Sequence, residues 1–335
     1  MKIAIHFDLR KDNFCHRWIN YCEIKSIKYV KVNALENNII DEISDCSHFL
    51  WHWMHYDYAS VLIAKKILFS LEKKGVKVYP DLNTCFYFDD KLGQKYLFES
   101  LKIDSIPTNV FYVKSKALKW LKKSNFPIIF KLRKGAGSNN VLKVNNINQG
   151  RKLINKAFSS GFSPKNKFLK IKELYWLAIR DRNIKSFFKF IISPIIYFKK
   201  NIFENEKEYV SFQEFIPNNE FDCRVIIIGN RAISVIRYNR KNDFRASGSG
   251  IASYPDENNS DLDCIKTAFE INKKLNFQSI SLDFIYKDSK PILIEVSYGF
   301  PVEFCDSCPG YWTSDLNWVE GKFISQEWII KDLIS

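Results

Sequence analysis

Two acidic residues lie on strand-like segments near the end of the chain. Asp283 falls in Ile280–Tyr286 and Glu295 in Pro291–Val296, and the turn-forming run 287–290 between them predicts a hairpin. Because paired residues of a hairpin share one face, we expect the two carboxylates to face one another. Mg²⁺ binds one or two protein carboxylates and completes its shell with water and phosphate oxygens. The pair therefore predicts a Mg²⁺ site.

Three arginines precede this hairpin. Arg224 begins the strand-like segment Arg224–Ile228, Arg237 nearly ends Ala232–Tyr238, and Arg245 leads into a loop of small residues. Arginines directed at one place repel one another unless an anion binds among them. The cluster therefore predicts a binding site for phosphates and a substrate carboxylate.

A lysine next to a glycine-rich stretch gives a second phosphate signal. Lys131 ends the apolar run Ile128–Phe130, where a lysine is costly unless it meets an anion. Gly135 and Gly137 follow, and their backbone N–H groups are nearly unobstructed by side chains. Because another strand-like segment comes next, we expect a hairpin whose tip closes over phosphates.

Taken in order, these features resemble the ATP-grasp superfamily over most of the chain. The segments that carry the resemblance are Asp90-Lys91 with Ile106-Pro107, Phe130-Lys131 with 134–141, Phe212–Ile216, Asp222-Cys-Arg224 with Arg237 and Asp243-Phe-Arg245, and Ser281-Leu-Asp283 with Ile294–Ser297. The arginine-bearing run is similar to that of glutathione synthetase and the ribosomal-protein glutamate ligases. One departure is Ser297, because the family usually has a metal-binding Asn there.

The resemblance implies a role for each set of candidate residues. Contacts to ATP phosphates are expected from Lys91, Lys131, Gly135, Gly137 and Ser138. Contacts to adenine are expected from Gln213, Glu214, Phe215 and Ile216, and Asp222 is expected to meet the ribose. The metal is expected on Asp283 and Glu295, with Ser297 secondary. The γ-phosphate and an acylphosphate intermediate are expected to be steadied by Arg224, Arg237 and Arg245.

The pattern of elements predicts an α/β fold in three parts. Strands alternate with helical spacing over residues 1–88, which predicts a mostly parallel N-terminal α/β domain. The ATP-grasp resemblance then implies a small lid subdomain at 89–208, with a basic insertion at 151–207, and an antiparallel α+β subdomain at 209–335. Tyr209–Ile216 is expected to start a meander with the next two strands. ATP is expected between the two sheets of the grasp.

The basic charge is concentrated in one part of the chain. The net charge is +14, and residues 151–207 contain 14 lysines and arginines against 4 acidic residues. Within this segment, Phe187–Phe198 is apolar but too short to span a bilayer. We expect it either to lie on an anionic membrane surface or to pack against the rest of the protein. No longer apolar run and no signal-like start occur, which predicts a cytoplasmic protein, at the inner membrane surface if the insertion binds lipid. Cys305 and Cys308 form a lone C-x-x-C that predicts ordinary packing.

The function predicted is an ATP-dependent carbon–nitrogen ligase that uses ATP and Mg²⁺. P-loop, dinucleotide-binding and nucleophile-elbow patterns are missing from the sequence. The substrates would be a small carboxylate and an amine, with sugar-linked molecules as candidates because the chain resembles a bacterial subgroup associated with surface polysaccharide loci. Two alternatives stay open: an ATP-grasp kinase that phosphorylates a hydroxyl, and an ATP-binding peripheral membrane protein without turnover. Nucleic acid is not expected as a partner, because only the charge favours it.

Overall fold

The structure, a computed structural model, describes residues 1–55, 57–135, 140–163, 205–241 and 243–335. Gly137, Ser138, the apolar run Phe187–Phe198 and most of the basic insertion lie outside the described residues, so the expectations placed on them stay predictions. The chain divides into two compact units. Unit 1 is Met1–Ile106 with Ile216–Ser335, and unit 2 is Pro107–Phe215.

The N-terminal part of unit 1 is a four-stranded parallel sheet, as its sequence pattern predicts. Its strands are β1 (Ile3–His6), β2 (Tyr29–Val32), β3 (His48–Leu50) and β4 (Lys77–Tyr79), in the order β2-β1-β3-β4. Its helices are α1 (Cys15–Ile24), α2 (Ile39–Glu42), α3 (Tyr58–Lys73), α4 (Leu82–Cys85) and α5 (Lys91–Ser100). Helix α3 begins after Asp57, whose carboxylate accepts the backbone N–H of Ser60 at 3.4 Å. It ends before Gly75, which has a φ of +86° that favours glycine.

Unit 2 contains the predicted glycine-rich hairpin in an antiparallel sheet. The elements are β5 (Thr108–Phe111), α6 (Lys114–Leu121), β6 (Ile128–Lys131), β7 (Val141–Val144), α7 (Ile147–Ala157) and β8 (Val210–Glu214), and the sheet order is β5-β8-β6-β7. Strand β8 pairs with β5 and β6, so the predicted meander that started at Tyr209 is wrong. Its apolar residues Val210 and Phe212 are fully buried in the core of unit 2, which explains its place in this sheet.

The C-terminal part of unit 1 is built on long antiparallel strands. They are β9 (Phe221–Ile228), β10 (Arg231–Tyr238), β11 (Ala252–Ser253), β12 (Ser279–Lys287), β13 (Lys290–Ser297), β14 (Gly310–Thr313) and β15 (Trp318–Glu320). The sheet order is β13-β12-β9-β10-β14-β15, with β11 on β10. Helices α8 (Leu262–Leu275), α9 (Val302–Asp306) and α10 (Ser325–Ile334) complete it. The β9–β10 and β12–β13 hairpins confirm the sequence predictions.

The two faces of this sheet bury different sets of residues. Cys223, Val225 and Ile227 of β9 lie in a core cluster with the buried side of α8. The alternate residues Ile226 and Ile228 face the other way, into a core that is shared with the N-terminal sheet. That second face also carries the charged residues described below.

Cys305 and Cys308 are buried free thiols, in agreement with the packing interpretation. Burial raises the pKa of Cys305 to about 12, so the thiol is protonated near neutral pH. Among the described residues, helices that are both long and apolar enough to cross a bilayer do not occur.

Candidate active site

The strand register brings five charged residues to one face of the large sheet. Asp283 on β12 lies opposite Glu295 on β13 and opposite Arg224 on β9. Asp222, two residues before Arg224, lies opposite Arg237 on β10. Because residues that pair across strands, or lie two apart on one strand, share a face, all five side chains start from the same side of the sheet. The predicted facing of the two hairpin carboxylates is therefore found; their metal role stays a prediction.

The arginines and aspartates of this face form a closed network. Arg224 donates Nε to Asp283 Oδ1 at 2.7 Å and Nη2 to Asp283 Oδ2 at 2.8 Å. Arg237 donates Nε to Asp222 Oδ1 at 2.6 Å and Nη2 to Asp222 Oδ2 at 2.8 Å. Arg237 Nη2 also lies 2.7 Å from Asp283 Oδ2, so it joins the two aspartates. Paired bonds of this kind fix both position and orientation.

This network corrects one expectation from the sequence. The arginines were expected to need a bound anion to offset their repulsion, but Asp222 and Asp283 already neutralise Arg224 and Arg237. Arg245 is similarly paired with Asp243, with Nη2 2.6 Å from Oδ2. The expected ribose contact of Asp222 also has a competitor, because both of its oxygens accept bonds from Arg237.

Burial and charge act in opposite directions on these groups. Burial raises the pKa of the Asp283 carboxyl, but Arg224 and Arg237 outweigh it and hold that pKa well below its usual range. Burial raises the pKa of Asp222 to about 6, because Asp283 offsets part of the effect of Arg237. Burial lowers the pKa of Arg237, but Asp283 and Asp222 raise it by more, so the net shift is upward. Asp283 is therefore the firmly ionised acid of the pair.

Lys91, the first residue of α5, meets the same hairpin. Its Nζ lies 3.4 Å from Oε1 of Glu295, and its side chain is 13% exposed. Burial lowers the lysine pKa, but Glu295 and Asp89 raise it more, so the net shift is upward. The site thus combines three cations, Lys91, Arg224 and Arg237, with three acids.

Sequence reasoning missed Gln94, which fixes α5 to β13. The amide is 2% exposed, its Nε2 donates to the carbonyl of Val296 at 2.8 Å, and its Oε1 accepts the Val296 N–H at 3.1 Å. These bonds hold the backbone next to Glu295. A signal was present, because Gln94 lies four residues before buried Phe98 on the apolar side of the helix.

Two serines continue the charged face toward the end of the hairpin. Ser297 on β13 lies opposite Ser281 on β12. The Ser297 hydroxyl donates to the carbonyl of Gly299 at 2.8 Å and accepts its N–H at 3.2 Å. Ser281 Oγ is buried, and among the described residues no partner is found for it.

The other predicted contacts to nucleotide lie in or at the edge of unit 2. Lys131 ends β6 as predicted, and Gly135 has a φ of +129°, a conformation open mainly to glycine. Gln213 on β8 donates Nε2 to Oγ1 of Thr108 at 3.0 Å.

The end of β8 was expected to offer backbone groups to adenine. The Glu214 N–H already donates to the carbonyl of Pro107 at 3.0 Å, and Lys143 Nζ lies 3.9 Å from the Phe215 ring centre. Ile216, in unit 1, is buried. The adenine contact stays a prediction.

Solved structures give the architecture a precedent. D-alanine–D-alanine ligase from Bacillus anthracis complexed with ATP aligns with a TM-score of 0.58 at 12% identity, over 100% of this chain and 97% of that one. A RimK domain ATP-grasp protein from Sphaerobacter thermophilus gives 0.52 at 13% identity, over 88% and 90%. Macrocyclase MdnC from Microcystis aeruginosa, bound with precursor peptide MdnA, gives 0.55 at 10% identity, over 100% and 99%.

The chain has the ATP-grasp fold. The α/β fold class predicted from the sequence is thereby confirmed. No protein-family model matches the chain, and no curated protein matches its sequence. At 10–13% identity the likeness shows the ATP-grasp fold alone and does not identify a substrate.

The oxygen ligands on the β12–β13 hairpin fit Mg²⁺. Asp283 and Glu295 supply hard oxygen ligands on one face, next to the buried Ser281 hydroxyl. Asp283 accepts three hydrogen bonds from Arg224 and Arg237, and a carboxylate has about four acceptor positions, which leaves one for a metal. In the described residues no group of three or more His, Cys, Asp and Glu side chains could hold a metal. A Mg²⁺ ion here would therefore need phosphate and water oxygens to complete its shell.

Proposed function

We propose that this chain is a Mg²⁺-ATP-dependent ligase that joins a carboxylate to an amine through an acylphosphate. One observation carries the proposal: Lys91, Arg224, Arg237, Asp283 and Glu295 converge on one sheet face in a chain with the ATP-grasp fold. Asp222, Arg237 and Asp283 of this set are buried, and burial of such charges costs desolvation energy that an apolar core would avoid. The presence of this network therefore favours a catalytic role over a structural one.

The network assigns different tasks to the two sheet arginines. Arg237, whose side chain is 5% exposed, holds Asp222 and Asp283 and acts as a positioning residue. Arg224 is 15% exposed and directs Nε and Nη2 at Asp283, which leaves Nη1 to meet a phosphoryl oxygen. This refines the sequence prediction, which gave both arginines the same role.

The remaining residues would bind and orient the reactants. Asp283 and Glu295 would hold Mg²⁺, which supplies a Lewis acid to offset phosphate charge when bound. Lys91 would contact phosphate oxygens as it exchanges its partner Glu295 for them. Arg245, paired with Asp243, would approach the acylphosphate. With reactants held in line, the chain needs no covalent nucleophile of its own.

Unit 2 would supply the rest of the nucleotide contacts. Lys131 and the hairpin tip at Gly135 would meet the phosphates, and the end of β8 would meet the adenine. These assignments rest on the ATP-grasp resemblance and on the position of Lys131 at the end of β6.

Sugar-linked carboxylates stay the first substrate candidates, on the resemblance to the polysaccharide-locus subgroup alone. Trp51-His52-Trp53 does not provide a stacking surface for them, because all three residues are at most 2% exposed. The two tryptophans pack in the core of unit 1 instead. Membrane contact through the basic insertion also stays a prediction, since most of it lies outside the described residues.

A phosphate-release screen tests the proposed reaction. Purified chain is incubated with Mg²⁺-ATP and matrices of carboxylates and amines, including uronic-acid sugar nucleotides with amino acids. The ligase predicts phosphate release that requires both an acid and an amine, together with an amide product detected by mass spectrometry. Phosphate transfer to a hydroxyl, with no amine needed, would instead identify the kinase. ATP binding without release for any pair would contradict the ligase.

A further inference from the structure

Helix α3 presents a row of large apolar side chains to solvent. Tyr58 is 43% exposed, Leu62 is 55% exposed and Phe69 is 43% exposed. Successive helical residues turn by about 100° and rise about 1.5 Å, so these three lie within about 40° of one another along about 17 Å of helix. The opposite side of α3 is occupied, because Ala64, Leu68 and Leu71 are buried in the core of unit 1. The exposed row is therefore not required for packing of the helix.

Lysines are interleaved with this row. Lys65, Lys66 and Lys73 fall with the apolar residues in an arc of about 100°, which we call the α3 stripe. Their stems lie along the helix: Lys66 Nζ donates to the carbonyl of Leu62 at 2.7 Å, and Lys73 Nζ lies 5.1 Å from the centre of the Phe69 ring. Such stems can cover apolar surface while the ammonium group reaches outward.

Acidic side chains are missing from the stripe, and every residue of α3 is described. Glu72, the one acid of the helix, lies outside the arc, and its Oε2 accepts the N–H of Leu82 at 3.4 Å. Phe86, 52% exposed, extends the apolar surface beside the helix, because Lys65 Nζ donates to its carbonyl at 2.5 Å. The arc itself therefore combines cations and large apolar groups, and the two acids that border it are already bonded: Glu72 to the Leu82 N–H, and Asp57 to Ser60 and Arg10.

We propose that the α3 stripe docks on an anionic membrane surface. Lysine together with Phe, Leu and Tyr on one exposed helical face is the composition that binds the lipid interface, where the apolar groups enter and the lysines stay at the headgroups. A second copy of the chain fits this surface poorly, since a two-fold contact would place the three lysines of each copy against those of the other. The proposal is separate from the ligase chemistry and from the basic insertion.

Vesicle co-sedimentation tests the proposal with the full chain. Wild-type protein is expected to bind phosphatidylserine-containing vesicles at low salt, to be released at high salt, and to leave phosphatidylcholine vesicles unbound. The variant K65Q/K66Q/K73Q should bind at least about tenfold more weakly, because each lysine near an anionic surface contributes to affinity. The variant L62S/F69S should also bind more weakly, at unchanged net charge.

Matched controls separate the stripe from general charge. K266Q/K273Q/K274Q removes the same charge from exposed positions of α8, which also carries Asp263 and Glu270, and should keep vesicle affinity within about twofold. L262S removes an exposed apolar residue of α8 and should have no effect. Thermal melts check that each variant is folded.

Three results would overturn the proposal. The first is equal loss in both lysine variants, which would mean non-specific attraction. The second is vesicle binding that survives both α3 variants, which would place lipid contact elsewhere in the chain. The third is an absence of vesicle binding. If the wild-type protein then forms a concentration-dependent dimer in analytical ultracentrifugation, and L62S/F69S dissociates that dimer, the occupant of the stripe is a second copy of the chain.

Discussion

Arg224 and Ile226 lie two residues apart on β9 and share one face of the sheet, yet their surroundings differ completely. Arg224 belongs to the charged half of that face, with its guanidinium on Asp283. Ile226 belongs to the apolar half, where it is fully buried with Ile233 and Val235 in the core shared with the N-terminal sheet. The same face of the sheet thus carries both the charged site and part of the apolar core.

The difference between the halves shows what each contributes. The apolar half gains stability from every buried carbon, at about 25 cal/mol per Å². The charged half must offset the desolvation of its ions, and replacement of such a network by apolar residues is often neutral or stabilising. Stability therefore accounts for the apolar half alone, and the charged half is best explained by its chemistry.

The largest expected effect comes from a break in the charged network at Asp283. Asp283→Asn removes the charge that Arg224 and Arg237 share, and should lower the free energy of unfolding by about 3–5 kcal/mol as well as abolish turnover. Urea unfolding measures the first effect. Glu295→Gln is the control: its side chain is 32% exposed and contacts Lys91 at 3.4 Å, so it should cost less than about 1 kcal/mol. Equal stability of Asp283→Asn and wild type would contradict the network.

A cavity in the apolar half should separate stability from binding. Ile233 is 1% exposed, and Ile233→Ala should lower the free energy of unfolding by about 2–4 kcal/mol through lost contacts and the space left behind. The Kd for Mg²⁺-ATP, measured by calorimetry on the folded variant, should stay at the wild-type value. A large change in that Kd would show that the two halves are not independent.

Low pH should weaken, through His52, the core that the apolar half shares with the N-terminal sheet. Its ring stacks on Phe14 at 3.7 Å, its Nδ1 accepts the Phe14 N–H at 3.4 Å, and burial lowers its pKa to about 3 from the ordinary 6.5. Between these values the unfolded chain binds a proton that the folded chain does not, so stability falls as pH falls below 6.5. The slope from this residue is at most about 1.4 kcal/mol per pH unit. His52→Phe keeps a stacked ring but binds no proton, so the pH dependence of its unfolding free energy should be smaller than that of the wild type by the contribution of this one group. An unchanged pH dependence would show that His52 does not cause the loss of stability.

A smaller effect is expected from the lysine of unit 2. Lys131→Ala should weaken Mg²⁺-ATP binding at least about tenfold, or about 1.4 kcal/mol, through loss of a phosphate contact. Lys119→Ala, at an exposed position of α6, is the control and should leave the Kd unchanged. If both variants bind ATP like the wild type, unit 2 does not use Lys131 for the nucleotide.

Local patterns predicted most elements that carry the site. Helix α3 lies within the strand–helix alternation predicted over residues 1–88, and an N-cap aspartate and Gly75 mark its ends. The β12–β13 hairpin was found because alternating apolar residues surround a polar turn. Helix α7 was missed: it begins at Ile147 after the cap Asn146 and continues past residue 151, where the basic insertion was predicted to begin.

Long-range pairing could not be predicted in the same way. Arg224 and its partner Asp283 are 59 residues apart, and no local pattern announces which acid an arginine will meet. Strand β8 was assigned to the wrong sheet for the same reason, because its alternation fits either one. The expected repulsion among the arginines failed since the neutralising acids come from neighbouring strands.

The most direct test of the account is amine-dependent phosphate release by Glu295→Gln beside Ser297→Ala. Glu295 would hold the metal through a carboxylate, whereas the Ser297 hydroxyl is engaged by Gly299 and water can replace its contact. With the acid and amine pair found for the wild type, Glu295→Gln should lose at least about a thousandfold in kcat, which corresponds to about 4 kcal/mol. Ser297→Ala should lose less than about tenfold. A folded Glu295→Gln protein that still forms the amide at the wild-type rate would contradict the proposed Mg²⁺-ATP ligase site.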